Sequence, residues 1–97
     1  MRHLITPMDL SVEETMNILD LAERISIGPQ LYKHVADGRQ LATLFYEPST
    51  RTRLSFESAM LSLGGQTLGF SSAAQSSASE GETVADTARV VSCYADI

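Results

Sequence analysis

Two short strand-like runs with one helix-forming segment between them leave this chain few ways to fold. Gln40 to Tyr46 is a short apolar run without clean alternation, the pattern of a strand covered on both faces. Gln66 to Phe70 reads as a second strand. Between them, Phe56, Ala59, Met60 and Leu63 line one face of a helix over Leu54 to Leu63, and Gly64-Gly65 stops it. Strands joined through a helix pair in parallel, with the helix crossing over the sheet.

The flanking segments extend the same order. Ser11-Val12-Glu13-Glu14 is a capping box, and Val12, Met16, Leu19 and Ala22 follow on one helical face until Gly28-Pro29. Asp37-Gly38 marks a turn. Ser71 to Ser79, nearly all Ser and Ala, has no periodicity and reads as a mobile loop. Ser79-Glu80-Gly81-Glu82 resembles a second capping box, and Val84, Ala88, Val91 and Ala95 continue at helical spacing. The expected order is helix, strand, helix, strand, helix. That is an α/β class, a parallel sheet with flanking helices forming part of a doubly wound domain. Tyr94 to Ile97 is expected to finish a helix where a third strand should begin, which suggests a fragment of a larger two-domain enzyme.

Charge and cysteine usage narrow the chemistry. A net charge of −5 argues against a general nucleic-acid surface, which needs clustered Lys and Arg. The single cysteine, Cys93, allows no internal disulfide and reads as a small core residue in a reducing compartment. No apolar run approaches the ~18 residues of a membrane helix, so no membrane partner is expected and the chain reads as cytoplasmic.

The chemistry converges on Glu47-Pro48-Ser49-Thr50-Arg51-Thr52-Arg53, between the first strand and the second helix. Helix starts carry unpaired N–H groups and partial positive charge, so they bind phosphate. Ser49, Thr50 and Thr52 add hydroxyl donors, and Arg51 adds a planar fork that matches phosphate oxygens. In open α/β sheets ligands sit beyond the carboxyl ends of strands, where this turn falls. The residues alone indicate an oxyanion site for a small phosphorylated compound, set against plain helix capping by Ser49 or Thr50. His3 and His34 read as surface or structural.

Phe45 to Glu57, with its Ser-Thr-Arg-Thr-Arg core, closely resembles the carbamoyl phosphate signature of the aspartate and ornithine carbamoyltransferases. Gly64-Gly65, Gly69-Phe70, the Ser-rich loop, Gly81-Glu82 and Asp86-Thr87-Ala88-Arg89-Val90 are similar to the aspartate branch in order and spacing. The resemblance spans residues 1–97, which it identifies as a carbamoyl phosphate-binding domain incomplete on its C-terminal side.

The resemblance implies that Ser49, Thr50, Arg51 and Thr52 hold the phosphate of carbamoyl phosphate, with Arg51 and Thr52 also beside the reacting oxygens. Ser76 matches a serine lent to the site of a neighbouring subunit, and Glu82 an acidic residue that pairs with the motif arginine across that boundary. The partners implied are carbamoyl phosphate, L-aspartate, two further copies in a homotrimer and a regulatory chain. No metal and no organic cofactor are implied. One position departs from the family: Glu80 stands where a lysine reaches the neighbouring site. The expected activity is carbamoyl transfer to L-aspartate in pyrimidine synthesis. An ornithine-type carbamoyltransferase and a non-catalytic carbamoyltransferase-like subunit stay open as alternatives.

Overall fold

The computed structural model describes residues 2–71 and 81–97. The chain divides into two units, Met1–Tyr32 and Lys33–Ile97.

The first unit is built around α1, Val12–Ile27. Its capping box forms as the sequence predicts: the Glu14 N–H donates to Ser11 Oγ at 3.0 Å, and the Ser11 N–H donates to Glu14 Oε1 at 3.0 Å. A short 3-10 turn, Pro7–Asp9, precedes it, with the Asp9 carboxylate accepting the N–H groups of Ile5 and Thr6. Arg2 donates to the Glu14 carboxylate and to the Asp9 carbonyl, tying the turn to the helix start. The apolar face carried by Val12, Met16 and Leu19 is exposed.

This capping arrangement has a pH signature. The Arg2 hydrogen bond, followed by the Ser11 N–H, holds the Glu14 carboxyl at about 2, below its ordinary 4.5. A carboxyl depressed by folding contributes stability above its unfolded value and loses it as pH falls toward the folded one. The first turn of α1 is therefore expected to fray as pH drops from about 4.5 to about 2. An NMR titration of the Glu14 carboxyl carbon checks this: the midpoint should sit near the low end and rise in Arg2→Ala. A midpoint at the ordinary glutamate value in the parent protein would contradict it.

The second unit is a strand–helix–strand crossover. β1 (Gln40–Leu44) and β2 (Gln66–Phe70) pair in parallel, with Gln40 opposite Gln66 and Leu44 opposite Phe70. α2 (Thr50–Ser62) connects them and packs on both strands. It presents Met60 to the interior, where Thr43 of β1 is also buried. The helix begins four residues earlier than the apolar periodicity suggests, because its first turn is polar and carries no core-facing side chain that the period could register.

The last helix, α3 (Val84–Val91), is capped by Thr83, whose Oγ1 accepts the Asp86 N–H at 3.0 Å. The structure corrects the sequence reading of the segment that follows. Residues 94–97 do not finish a helix. After a turn the backbone extends along the free edge of β1: the Gln40 carbonyl accepts the N–H groups of Asp96 (2.9 Å) and Ile97 (3.3 Å), and the Ala42 N–H donates to the Ile97 carbonyl at 2.8 Å. Two bonds flanking Leu41 in this way form the parallel pattern. The Asp96 carboxylate reinforces the docking by accepting the Gln40 N–H at 2.9 Å and facing Arg39 Nη1 at 3.4 Å. β1 is thus bonded on both edges.

Candidate functional site

The end of β1 delivers the chain to the site. Pairing continues one residue past the strand, with the Phe45 N–H donating to the Phe70 carbonyl at 3.0 Å. Tyr46 then meets Phe70 edge-on, ring centroids 5.2 Å apart at 84°. The two strands therefore end level with each other, and the Glu47–Ser49 turn and Ser71 leave their carboxyl ends together.

Ser49 occupies the cap position of α2, and the first helical bond runs from the Arg53 N–H to its carbonyl at 3.0 Å. Its hydroxyl makes no cap hydrogen bond, and no acidic side chain stands in the first turn. The absent cap bond speaks against plain capping by Ser49. A capping serine would satisfy a first-turn donor. Here it does not, so among the described residues the Ser49 side chain leaves the positive end of the helix without a side-chain cap. The contrast with α1 and α3 is internal to the chain: both of those starts are side-chain capped and acidic.

A cavity of about 240 Å³ lies against this turn, lined by Pro48, Ser49, Thr50, Arg53, Leu54 and Ser71. The structure thus brings two of the expected residues, Ser49 and Thr50, to one cavity. Arg51 and Thr52 are exposed in the same turn and do not line it; Arg51 borders an adjoining open groove with Leu54, Ser55 and Ser58. Among the described residues no acidic side chain pairs with Arg51. Ser76 and Glu80 fall outside the described residues. Glu82 is half-buried, and its Oε1 accepts the Thr87 hydroxyl at 2.9 Å. His34 faces the Asp37 carboxylate at 3.1 Å in an exposed pair.

The sequence reading missed Arg53 and Ser71 as cavity residues. Both had a signal. Arg53 is four residues after Ser49, on the same face of the helix start. Ser71 follows the second parallel strand directly, at the end where ligands collect. Arg53 also faces Glu57 one turn on, with Nε and Oε2 3.2 Å apart. Both atoms are buried, yet neither makes an aligned hydrogen bond among the described residues. The pair is a charge contact rather than a locked fork. No group of three or more His, Cys, Asp and Glu could hold a metal ion among the described residues, and none of their helices is long and apolar enough to cross a membrane.

The comparisons with known proteins bear on this arrangement throughout its length. Residues 2–97 match the family model described as aspartate/ornithine carbamoyltransferase, carbamoyl-P binding domain. The chain is 63% identical over 97 residues to an aspartate carbamoyltransferase catalytic subunit of Lachnoclostridium phytofermentans, covering all of this chain and 32% of that one. It is 64% identical over 96 residues to the corresponding subunit of Clostridium acetobutylicum, covering 99% of this chain and 31% of that one. Among solved structures it resembles the catalytic subunit of M. jannaschii aspartate transcarbamoylase, with TM-score 0.87 and 46% identity over 99% of this chain and 33% of that one. It also resembles ornithine transcarbamoylase from Giardia lamblia, with TM-score 0.78 and 34% identity over 98% of this chain and 28% of that one. The chain spans about a third of the length of these relatives. With the parallel crossover, the uncapped helix start and the Ser49–Arg53 turn in place, the chain belongs to the aspartate/ornithine carbamoyltransferase family, through its carbamoyl phosphate-binding domain.

Proposed function

We propose that this chain supplies the carbamoyl phosphate site of an enzyme that transfers a carbamoyl group to L-aspartate. The observation that carries the reading is the α2 start, where the cap serine leaves the first turn uncapped beside a cavity bordered by hydroxyls and a guanidinium. The aspartate branch is favoured because relatives at 63% and 64% identity are aspartate carbamoyltransferase catalytic subunits, while the ornithine transcarbamoylase neighbour stands at 34%.

The chemistry asks little of the protein beyond placement and charge. The α-amine of aspartate attacks the carbonyl carbon of carbamoyl phosphate. The new C–N bond forms, the C–O bond to phosphate breaks, and the amine loses a proton. Negative charge develops on the carbonyl oxygen and then on the departing phosphate. Helix N–H groups, the hydroxyls of Ser49, Thr50 and Thr52, and Arg51 counter that charge without reorganising. Ser76 and position 80 are assigned to a neighbouring copy's site by family resemblance, and this assignment carries with it a homotrimer.

The test is product formation by the complete protein from carbamoyl phosphate with either aspartate or ornithine. Carbamoylaspartate is the expected product. Turnover with ornithine alone, or with neither amine, would overturn the reading.

Glu80 yields a separate expectation. A carboxylate at a site for a phosphate dianion and a dicarboxylate repels both, by ~1–4 kcal/mol at contact distance near a surface. Glu80→Lys in the complete protein should raise kcat/KM for aspartate carbamoylation at least ~10-fold, the factor that corresponds to 1.4 kcal/mol. The gain should shrink at high salt. A variant no faster than its parent, assayed as a trimer at low salt, would remove Glu80 from the site.

A further inference from the structure

We infer that Arg53 is a second cationic contact for the phosphate group in the cavity beside α2, and that Glu57 is its positioning residue. The inference rests on the carbamoyl phosphate reading of the turn and extends it to two residues that the motif comparison leaves without a role.

Arg53 lines the same cavity as Ser49, Thr50 and Ser71, whereas Arg51 borders a neighbouring groove. Its Nε is fully buried, so the 33% of the side chain that remains accessible belongs to other atoms. Glu57, only 17% accessible, stands 3.2 Å from that Nε. A carboxylate on the Nε side steadies the stem and leaves the terminal nitrogens for another acceptor. The missing hydrogen-bond alignment matters here. Among the described residues these two buried polar atoms stand at contact distance without an aligned bond. A phosphate oxygen in the cavity supplies the acceptor that draws the fork into register.

The experiment measures inorganic phosphate and carbamoyl phosphate affinity, with kcat and KM, in the complete protein. Arg53→Gln should weaken phosphate binding about tenfold, the scale of a charge-assisted contact, and flatten its salt dependence. Arg53→Lys keeps the charge and loses the fork, and it should recover only part of the affinity. Glu57→Gln should raise the KM for carbamoyl phosphate severalfold, with a smaller change in kcat. If Arg53→Gln fails to fold, Arg53→Lys and Glu57→Gln carry the test. A purely structural ion pair would lower the melting temperature and leave phosphate affinity per folded site unchanged, and that result overturns the inference. Arg51→Ala separates the two levels. If it abolishes phosphate binding while the Arg53 and Glu57 variants bind like the parent, only the present inference fails. If neither Arg51 nor Arg53 variants affect binding, the phosphate reading of the turn fails with it.

Discussion

Arg51→Ala in the complete protein is expected to lower kcat/KM for carbamoyl transfer by at least ~100-fold, the consequence of losing ~3 kcal/mol of charge stabilisation at the reacting oxygens. Arg51 is the second residue of α2, on a first turn that holds no acidic side chain and whose cap serine makes no cap bond. Among the described residues no carboxylate engages its guanidinium. Among the described residues the exposed Arg51 side chain has no acidic partner to lose, so its removal should leave the fold of the chain intact. The helix dipole itself disfavours a cation there. A cation kept at that position despite the dipole is expected to serve a ligand. The expected signature is therefore a loss in kcat/KM with an unchanged melting temperature. Arg51→Lys should recover only part of the loss, because an ammonium cannot reproduce a bidentate contact. A variant within threefold of the parent would remove Arg51 from the chemistry.

The second large effect concerns stability. Gly69 lies in β2 at φ +144°, a region that side-chain-bearing residues rarely adopt. A Cβ built there would stand 2.0 Å from the Thr43 carbonyl oxygen and 2.8 Å from its carbon. Those are backbone atoms of the paired strand, so relief requires the two strands to part where they carry the site turn. Gly69→Ala is expected to cost at least ~3 kcal/mol, combining strain at an unfavourable φ with the steric clash. Two other glycines serve as controls. At Gly65 an added Cβ meets only the flexible end of Met60, with Cε at 2.4 Å, so Gly65→Ala should cost less. At Gly81, φ +95°, nothing among the described residues lies within 4 Å, so Gly81→Ala serves to report the backbone strain. Denaturant unfolding of the three variants should rank Gly69→Ala as the most destabilising by a clear margin. Equal losses at positions 69 and 81 would mean that the clash contributes nothing.

These expectations mark how far the sequence reaches. The Ser11–Glu14 capping box, the helix that ends at Gly28, the strand at Gln40 and the strand at Gln66–Phe70 are all local patterns, and each appears where its residues place it. Parallel pairing follows as well, because a strand, a helix and a strand in that order can bury the helix face only by crossing over. By residue chemistry alone the polar turn with its hydroxyls and guanidinium reads either as an anion site or as a plain helix cap.

Other features depend on groups far apart in the chain. Helical spacing carries on through Ala95, yet α3 stops at Val91, because the Gln40 N–H and carbonyl, 56 residues away from Asp96, take over the backbone and carboxylate of the segment that follows. Periodicity reports which face a side chain shares; it cannot report which distant carbonyl will claim an N–H. Ser49 reads as a cap by residue type, and only its backbone angles, φ −152° and ψ 75°, with the absent cap bond, show it uncapped. The motif points to Arg51, but the cavity lies on the side of the helix start that carries Ser49 and Arg53, because the direction in which β1 hands the chain to α2 sets which face of the first turn meets Ser71. The residue types in the turn were legible in the sequence; their division between cavity and groove was decided by the parallel pairing that brings the carboxyl ends of β1 and β2 level.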